Sequence, residues 1–188
     1  TNEYEGPAWF IRDGKPTQVP CLSEVEELDF PAPLGLLEAA VTSGGLSTAP
    51  WTFAGKLQRL ENKTLRYPGH WQTFQAFQQL GLFEQTPVAM KEDRFIPREV
   101  FHTLLQPKIS SDTIRDICVI RVRCEGEIDG KSAVCTLDLC ETFDEETHFT
   151  AMEKFTGWHA SMVAILSAQG KLPKGAIPIE KALSGEIG

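Results

Sequence analysis

The sequence predicts an α+β fold, a mixed and largely antiparallel sheet covered by about three helices. Three observations predict it. Two long alternating runs, Arg115 to Ile128 and Lys131 to Phe143, flank Asp129-Gly130, the strongest hairpin signal in the chain. Three other stretches, after Pro68-Gly69, from Pro97 and from Thr150, space their apolar residues at helical intervals. No G-x-G-x-x-G follows a strand and no P-loop pattern occurs, so the chain carries no dinucleotide fingerprint of its own.

The elements follow in order. Pro7 to Cys21 reads as a first hairpin, with apolar Ala8-Trp9-Phe10-Ile11, an Asp13-Gly14 turn, and Lys15 to Val19 returning. Ser23 to Leu28 is short and acidic, and Phe30 to Gly35 is a breaker-rich connection. Leu36 to Thr42 fits a buried strand or a short helix, and Ser43 to Thr48 is a small, polar loop suited to approaching a ligand. Leu57 to Tyr67 reads as one strand, with Asn62, Thr64 and Arg66 on one face and Lys63, Leu65 and Tyr67 on the other.

The helix after Pro68-Gly69 takes Trp71, Phe74, Phe77 and Leu80 as its apolar stripe and stops at Gly81. The helix from Pro97 presents Val100, Phe101, Leu104 and Leu105, and is expected to stop before Pro107. The third follows Thr150-Ala151-Met152-Glu153, which fits a capping box, buries Met152, Phe155, Met162 and Leu166, and ends at Gly170. Thr156-Gly157-Trp158 interrupts it. A mid-helix glycine costs roughly 1 kcal/mol relative to alanine, which suggests either a close approach to this face or tight helix packing. A Pro- and Gly-containing tail leads to a short helical stretch.

Composition bounds the function. With 188 residues, 41% hydrophobic and 23% charged, the chain has the makeup of a folded globular protein. A net charge of −8 repels phosphate backbones and anionic lipid, which argues against nucleic-acid and membrane partners. No apolar run approaches the roughly 18 residues of a membrane span, and no secretory leader opens the chain.

The five cysteines, Cys21, Cys118, Cys124, Cys135 and Cys140, do not suggest a disulfide scaffold. Cys118 and Cys124 stand six strand residues, or about 20 Å, apart, too far to share one zinc ion, and no metal is expected. Cys124 and Cys135 lie equally far from the turn and should face each other; whether they pair is open. The expected state is reduced thiols packed as small hydrophobes in a cytoplasmic protein.

Chemistry points to residues 62–70. Arg66 at a strand end, just before a helix N-terminus, makes a carboxylate site, with Asn62 and Thr64 as neutral partners on its face. The alternative is a surface arginine paired with one of the 26 acidic residues. His70, near the helix start, should be biased toward its neutral form, able to accept or relay a proton, or else to cap and pack. His148 and His159 read as structural or exposed, and the acidic run Asp144-Glu145-Glu146 as a solvated loop.

The run Lys63-Thr64-Leu65-Arg66-Tyr67-Pro68-Gly69-His70 resembles the K-T-x-R-Y-P-G-H segment of the saccharopine dehydrogenase family, particularly its lysine 6-dehydrogenase-like branch. Val19 to Glu26, Leu80-Gly81-Leu82-Phe83, Pro97-Arg98-Glu99-Val100, Thr156-Gly157 and Gly170 to Ala176 agree in order. The resemblance runs over nearly the whole chain. It implies that residues 1–188 form a single C-terminal substrate-binding and dimerisation domain, with the family's Rossmann domain absent from this chain. It implies an oxidoreductase acting on the side-chain carbon–nitrogen bond of lysine or a lysine-derived amino acid, with NAD or NADP bound mainly by the missing domain.

Arg66 would then grip the substrate α-carboxylate, and Thr64, Tyr67 and His70 would shape the pocket; no catalytic residue is named. Phe155 stands where family members often carry threonine or an Arg-Thr pair, so no substrate role for Thr156 is carried over. By itself the chain is expected to be inactive and to bind no dinucleotide. A homodimer is expected through the long hairpin. The rival expectation is a non-catalytic dimerisation or small-ligand-binding module.

Overall fold

The computed structural model describes residues 2–91 and 93–183. Two compact units emerge, Thr1–Ile109 and Ser110–Gly188. Every registered strand pair is antiparallel, and the single expected sheet is divided into four small ones.

In the first unit a short 3-10 turn, Asn2–Tyr4, precedes Pro7–Arg12 (β1) and Lys15–Pro20 (β2), the expected hairpin. Asp13 and Gly14 take φ of 49° and 77°, which this tight turn requires and which Asp and Gly tolerate. Glu26–Phe30 (β3) pairs with Gly35–Val41 (β4), settling the strand-or-helix alternative for the latter segment. Ala49–Thr52 (α1) is one short turn.

The strand expected over residues 57–67 is two strands. Arg59–Leu60 (β5) pairs with β1, and Lys63–Arg66 (β6) pairs with β4. The break falls at Glu61-Asn62, where the chain crosses from one sheet edge to the other. His70–Gln79 (α2) follows. Val88–Met90 (β7) and Asp93–Phe95 (β8) form a small hairpin that the sequence pattern does not announce. Pro97–Ile109 (α3) closes the unit and runs through Pro107 instead of stopping before it. In the last turn that proline forfeits a single backbone bond, and the freed carbonyl, on exposed Thr103, is within reach of water.

β4 is the organising strand. Ala40 belongs to a core with Tyr4, Leu22, Trp71, Phe83 and Phe101; Val41 belongs to a second with Ala8, Phe10 and Val19. A strand buried on both faces reads as a continuous apolar run, as this one does apart from Glu38. α2 and α3 bury less than their stripes suggest. Trp71 and Phe101 are inside and Phe74, Phe77 and Leu105 pack on them, but Leu80, Val100 and Leu104 stay exposed. α2 ends before Leu80, and Gly81, at φ 82°, turns the chain away.

The second unit is a hairpin and a helix. Ile117–Ile128 (β9) and Lys131–Thr142 (β10) pair along their full length around Asp129-Gly130. Ala151–Ala168 (α4) starts at the expected capping box, with Thr150 and Glu153 bonding each other's backbone, and Ile179–Ala182 (α5) ends the described chain.

A second device holds α4. Both carboxylate oxygens of Asp116, just before β9, accept backbone N–H bonds, from Ala151 at 2.7 Å and Met152 at 2.9 Å. Burial pushes its pKa up, but the Met152 and Ala151 N–H groups outweigh that and hold the carboxyl below its usual value of 3.8. The stabilisation is therefore complete above that value and fades as the pH falls below it. Asp116→Ala is expected to cost this unit about 1–2 kcal/mol in urea denaturation; an unchanged midpoint would remove Asp116 as the anchor of α4.

α4 does not bury the stripe expected of it. Phe155 and Leu166 are half-buried, while Met152 and Met162 are exposed. One helix on a two-stranded sheet has too little surface to cover it. The buried α4 residues are Ala151 and Lys154, the latter ion-paired with Glu141 and set against the Trp158 ring. Among the described residues nothing lies within 4 Å of where a Gly157 side chain would sit, and the helix continues through that glycine, so neither tight packing nor another backbone accounts for it. Of the cysteines, Cys21 alone is buried; Cys118 is partly buried and Cys124, Cys135 and Cys140 are exposed thiols, not packed hydrophobes. No helix of the described residues is long and apolar enough to cross a membrane.

Candidate functional site

The register of β4 on β6 builds the site. Ala40 stands opposite Thr64, and Glu38 opposite Arg66, which places all four on the face that α2 covers. Leu65 and Lys63 point to the other face, where Lys63 joins Glu24 and Glu26. The face division expected for residues 63–66 is thus the one observed.

Arg66 is half-buried. Its guanidinium lies 5.9 Å from the Trp71 ring, and Nη1 donates to the carbonyl of Leu65 at 2.8 Å. Among the described residues it has no ion-pair partner. Three other arginines of this unit are ion-paired: Arg12 joins Glu24 and Glu61, Arg59 joins Glu61, and Arg98 joins Glu5; the exposed Arg94, like Arg66, has no ion pair among the described residues. In a chain with 26 acidic residues against 18 basic ones, a half-buried guanidinium with no ion-paired carboxylate among the described residues has the chemistry to accept an anion.

The helix start differs from expectation. α2 begins at Gly69, whose φ of 89° only glycine takes readily, and the Gly69 N–H donates to Glu38 Oε2 at 3.1 Å. The protein's own carboxylate therefore sits at the helix N-terminus. Glu38 also places Trp71, whose Nε1 donates to the Glu38 carbonyl at 2.9 Å.

His70 packs. Its ring stacks on Phe74 at 4.4 Å, meets Tyr4 and Trp71 edge-on, and Nε2 lies 2.9 Å from the Tyr4 hydroxyl. Burial first, then the Arg66 charge, lowers its pKa from the usual 6.5, against an upward pull from Glu38. The neutral form expected from the sequence stands, but burial and Arg66 cause it. Because the folded value is depressed, this contribution to stability is whole above pH 6.5 and declines as the pH falls below it. An NMR titration should place the His70 midpoint below the usual 6.5; a midpoint at or above that value would contradict this packing.

Thr64 lies two residues from Arg66 on the same face, about 6–7 Å along the strand. Its hydroxyl is 2.7 Å from that of the buried Thr42, and both line a cavity of about 340 Å3 with Asn2, Glu3, Ser43, Gly44, Gly45 and Asn62. The Ser43 to Thr48 loop thus does border a cavity. A side chain at Gly45 would meet the Asn62 amide, which would have to turn away from the cavity to admit it. Tyr67 ends outside this grouping; the residue is 57% exposed, and its carbonyl accepts from the His70 N–H at 3.3 Å.

Sequence reasoning missed Tyr4, Glu38 and Thr42. Glu38 had a readable signal, a lone acid in an apolar strand. Tyr4 had none, because it reaches His70 from 66 residues away. No group of three or more metal-ligating side chains occurs among the described residues.

Residues 1–187 match the saccharopine dehydrogenase C-terminal domain. That family is associated with dinucleotide-dependent oxidoreductases of amino-acid metabolism, and the match spans all the elements described above. The chain belongs to the saccharopine dehydrogenase C-terminal domain family.

Proposed function

We propose that this chain is the substrate-side domain of an NAD- or NADP-dependent oxidoreductase acting on the side-chain carbon–nitrogen bond of lysine or a lysine-derived amino acid, as in lysine 6-dehydrogenase. One observation carries the proposal: the half-buried Arg66 guanidinium has no carboxylate ion-paired to it among the described residues. In this reading it grips the substrate α-carboxylate. Trp71 and the packed His70 fix its position, Thr64 offers a neutral hydrogen bond, and Tyr67 lies at the rim. The cavity bordered by Thr42, Ser43, Asn62 and Thr64 takes polar parts of the substrate. Held at one end, the amino acid has its reacting carbon in a fixed place, which lowers the entropic part of the barrier.

In this reading a dinucleotide supplies the hydride acceptor, and the start of α2 is unsuited to hold it. The glycine-containing turn before α2 carries the Glu38 carboxylate at the helix start, which repels a pyrophosphate. In this reading the nucleotide is bound mainly by another domain, and the isolated chain should neither bind it nor turn over. A cytoplasmic setting suits the five thiols.

The chain itself can be tested. Titration with 6-aminohexanoate, followed by NMR, should shift the Trp71 indole N–H and the Thr64 amide; a titration that leaves both unmoved contradicts the reading.

The alternative, a dimerisation module, is favoured by the second unit. β9 and β10 form a two-stranded sheet whose outer edges are unpaired among the described residues, and Ile120, Val122, Leu137 and Leu139 remain exposed. Such edges pair readily with a second copy. Light scattering should find a dimer, and the two readings are compatible in one enzyme.

A further inference from the structure

We propose that Cys124 and Cys135 form a redox-sensitive dithiol site, which a small disulfide such as oxidised glutathione converts reversibly into a cross-strand disulfide. The register carries the inference. Cys124 on β9 stands directly opposite Cys135 on β10, and both are exposed. Directly opposite residues point to the same side of the hairpin, with Cα atoms about 4.5–5.5 Å apart, inside the range of about 4.4–6.8 Å that a disulfide spans. Their Cβ atoms, about 4.5–5.5 Å apart in such pairs, need to approach only slightly.

No other two cysteines are so placed. Cys118 lies opposite Glu141, and Cys140 opposite Val119 on the other face of the sheet. Cys21 is buried in the first unit.

The step balances. The thiolate of one cysteine attacks a sulfur of the small disulfide, forms a mixed disulfide, and expels one thiolate. The second cysteine attacks the protein sulfur of that mixed disulfide and expels the other. Two protein thiols lose two electrons and two protons; one small disulfide gains both and leaves as two thiols. Excess reduced thiol reverses the sequence. The closed bond fastens β9 to β10 on the face that also carries Ile120, Val122, Leu137 and Leu139.

Oxidised glutathione is added to the chain, followed by alkylation and intact mass measurement. The expected result is loss of two hydrogens and a fall in alkylatable thiols from five to three, reversed by reduced glutathione. Cleavage after Arg123 and Lys131 then yields peptides 124–131 and 132–154 joined by the new bond. Cys118→Ser and Cys140→Ser should react as the parent does, and Cys124→Ser should stop at a glutathione adduct on Cys135. Both thiols are exposed, so these serine variants test chemistry and not folding. Five thiols left unreacted, persistent adducts on both cysteines, or an internal bond that survives in Cys124→Ser would overturn the proposal.

Discussion

Replacing Trp71 with alanine should cost the first unit about 3–5 kcal/mol, the range for removing a large aromatic side chain from a core. Trp71 is fully buried and the largest such side chain in the protein. It touches Tyr4 at 5.4 Å and His70 at 4.9 Å between ring centroids. It also leaves a second debt when removed: the Glu38 carbonyl loses its indole N–H partner. A lost bond of that kind adds about 1–3 kcal/mol when the acceptor stays dry. Domains of this size are stable by about 5–15 kcal/mol, so the variant should be close to unfolded. Trp71→Phe keeps a ring in place and forfeits the N–H bond, so it should fall between the parent and alanine. Urea denaturation monitored by circular dichroism measures both. An alanine variant within about 1 kcal/mol of the parent would mean that β4 and α2 are held together by something else.

Arg66→Ala has the second large effect, on binding instead of folding. Truncating one partner of a sheltered charge pair costs about 2–5 kcal/mol. If the missing partner of Arg66 is the substrate carboxylate, the intact enzyme carrying Arg66→Ala should lose affinity by about 30-fold to several thousandfold. The protein's own stability should hardly change, since Arg66 has no carboxylate to abandon. That pairing of effects separates a binding arginine from a structural one. Arg98, ion-paired to Glu5 and donating to the Phe83 carbonyl at 2.8 Å, should show the reverse, with lost stability and no direct effect on substrate. Arg66→Lys should recover little, because an ammonium cannot make the bidentate contact of a guanidinium.

The local features were the legible ones. Asp13-Gly14 and Asp129-Gly130 declared their turns, Thr150 and Glu153 their capping box, and Gly81 and Gly170 their helix ends, because each depends on residues within one turn of itself. Arg66 and Thr64 were legible as neighbours on one strand face, because alternation is also local. What the sequence hid is tertiary. The break at Glu61-Asn62 follows from two strands competing for the same segment, β1 on one side and β4 on the other. Pro107 inside α3 shows that a proline in a last turn need not end a helix. The bare apolar residues of α4 and β9 follow from the small size of the second unit, which periodicity cannot report. Glu38 at the start of α2 could not be foreseen from the residues around Gly69, because it arrives from another strand.

The central claim is that the Arg66 guanidinium is kept for a substrate carboxylate. The most direct measurement compares lysine with its decarboxylated counterpart, 1,5-diaminopentane, as ligands or substrates of the intact enzyme, with arginine or alanine at position 66. The parent should prefer lysine strongly, and Arg66→Ala should lose most of that preference by weakening lysine alone. If alanine at this position weakens both ligands equally, or leaves the preference intact, the carboxylate is held elsewhere and the account is wrong.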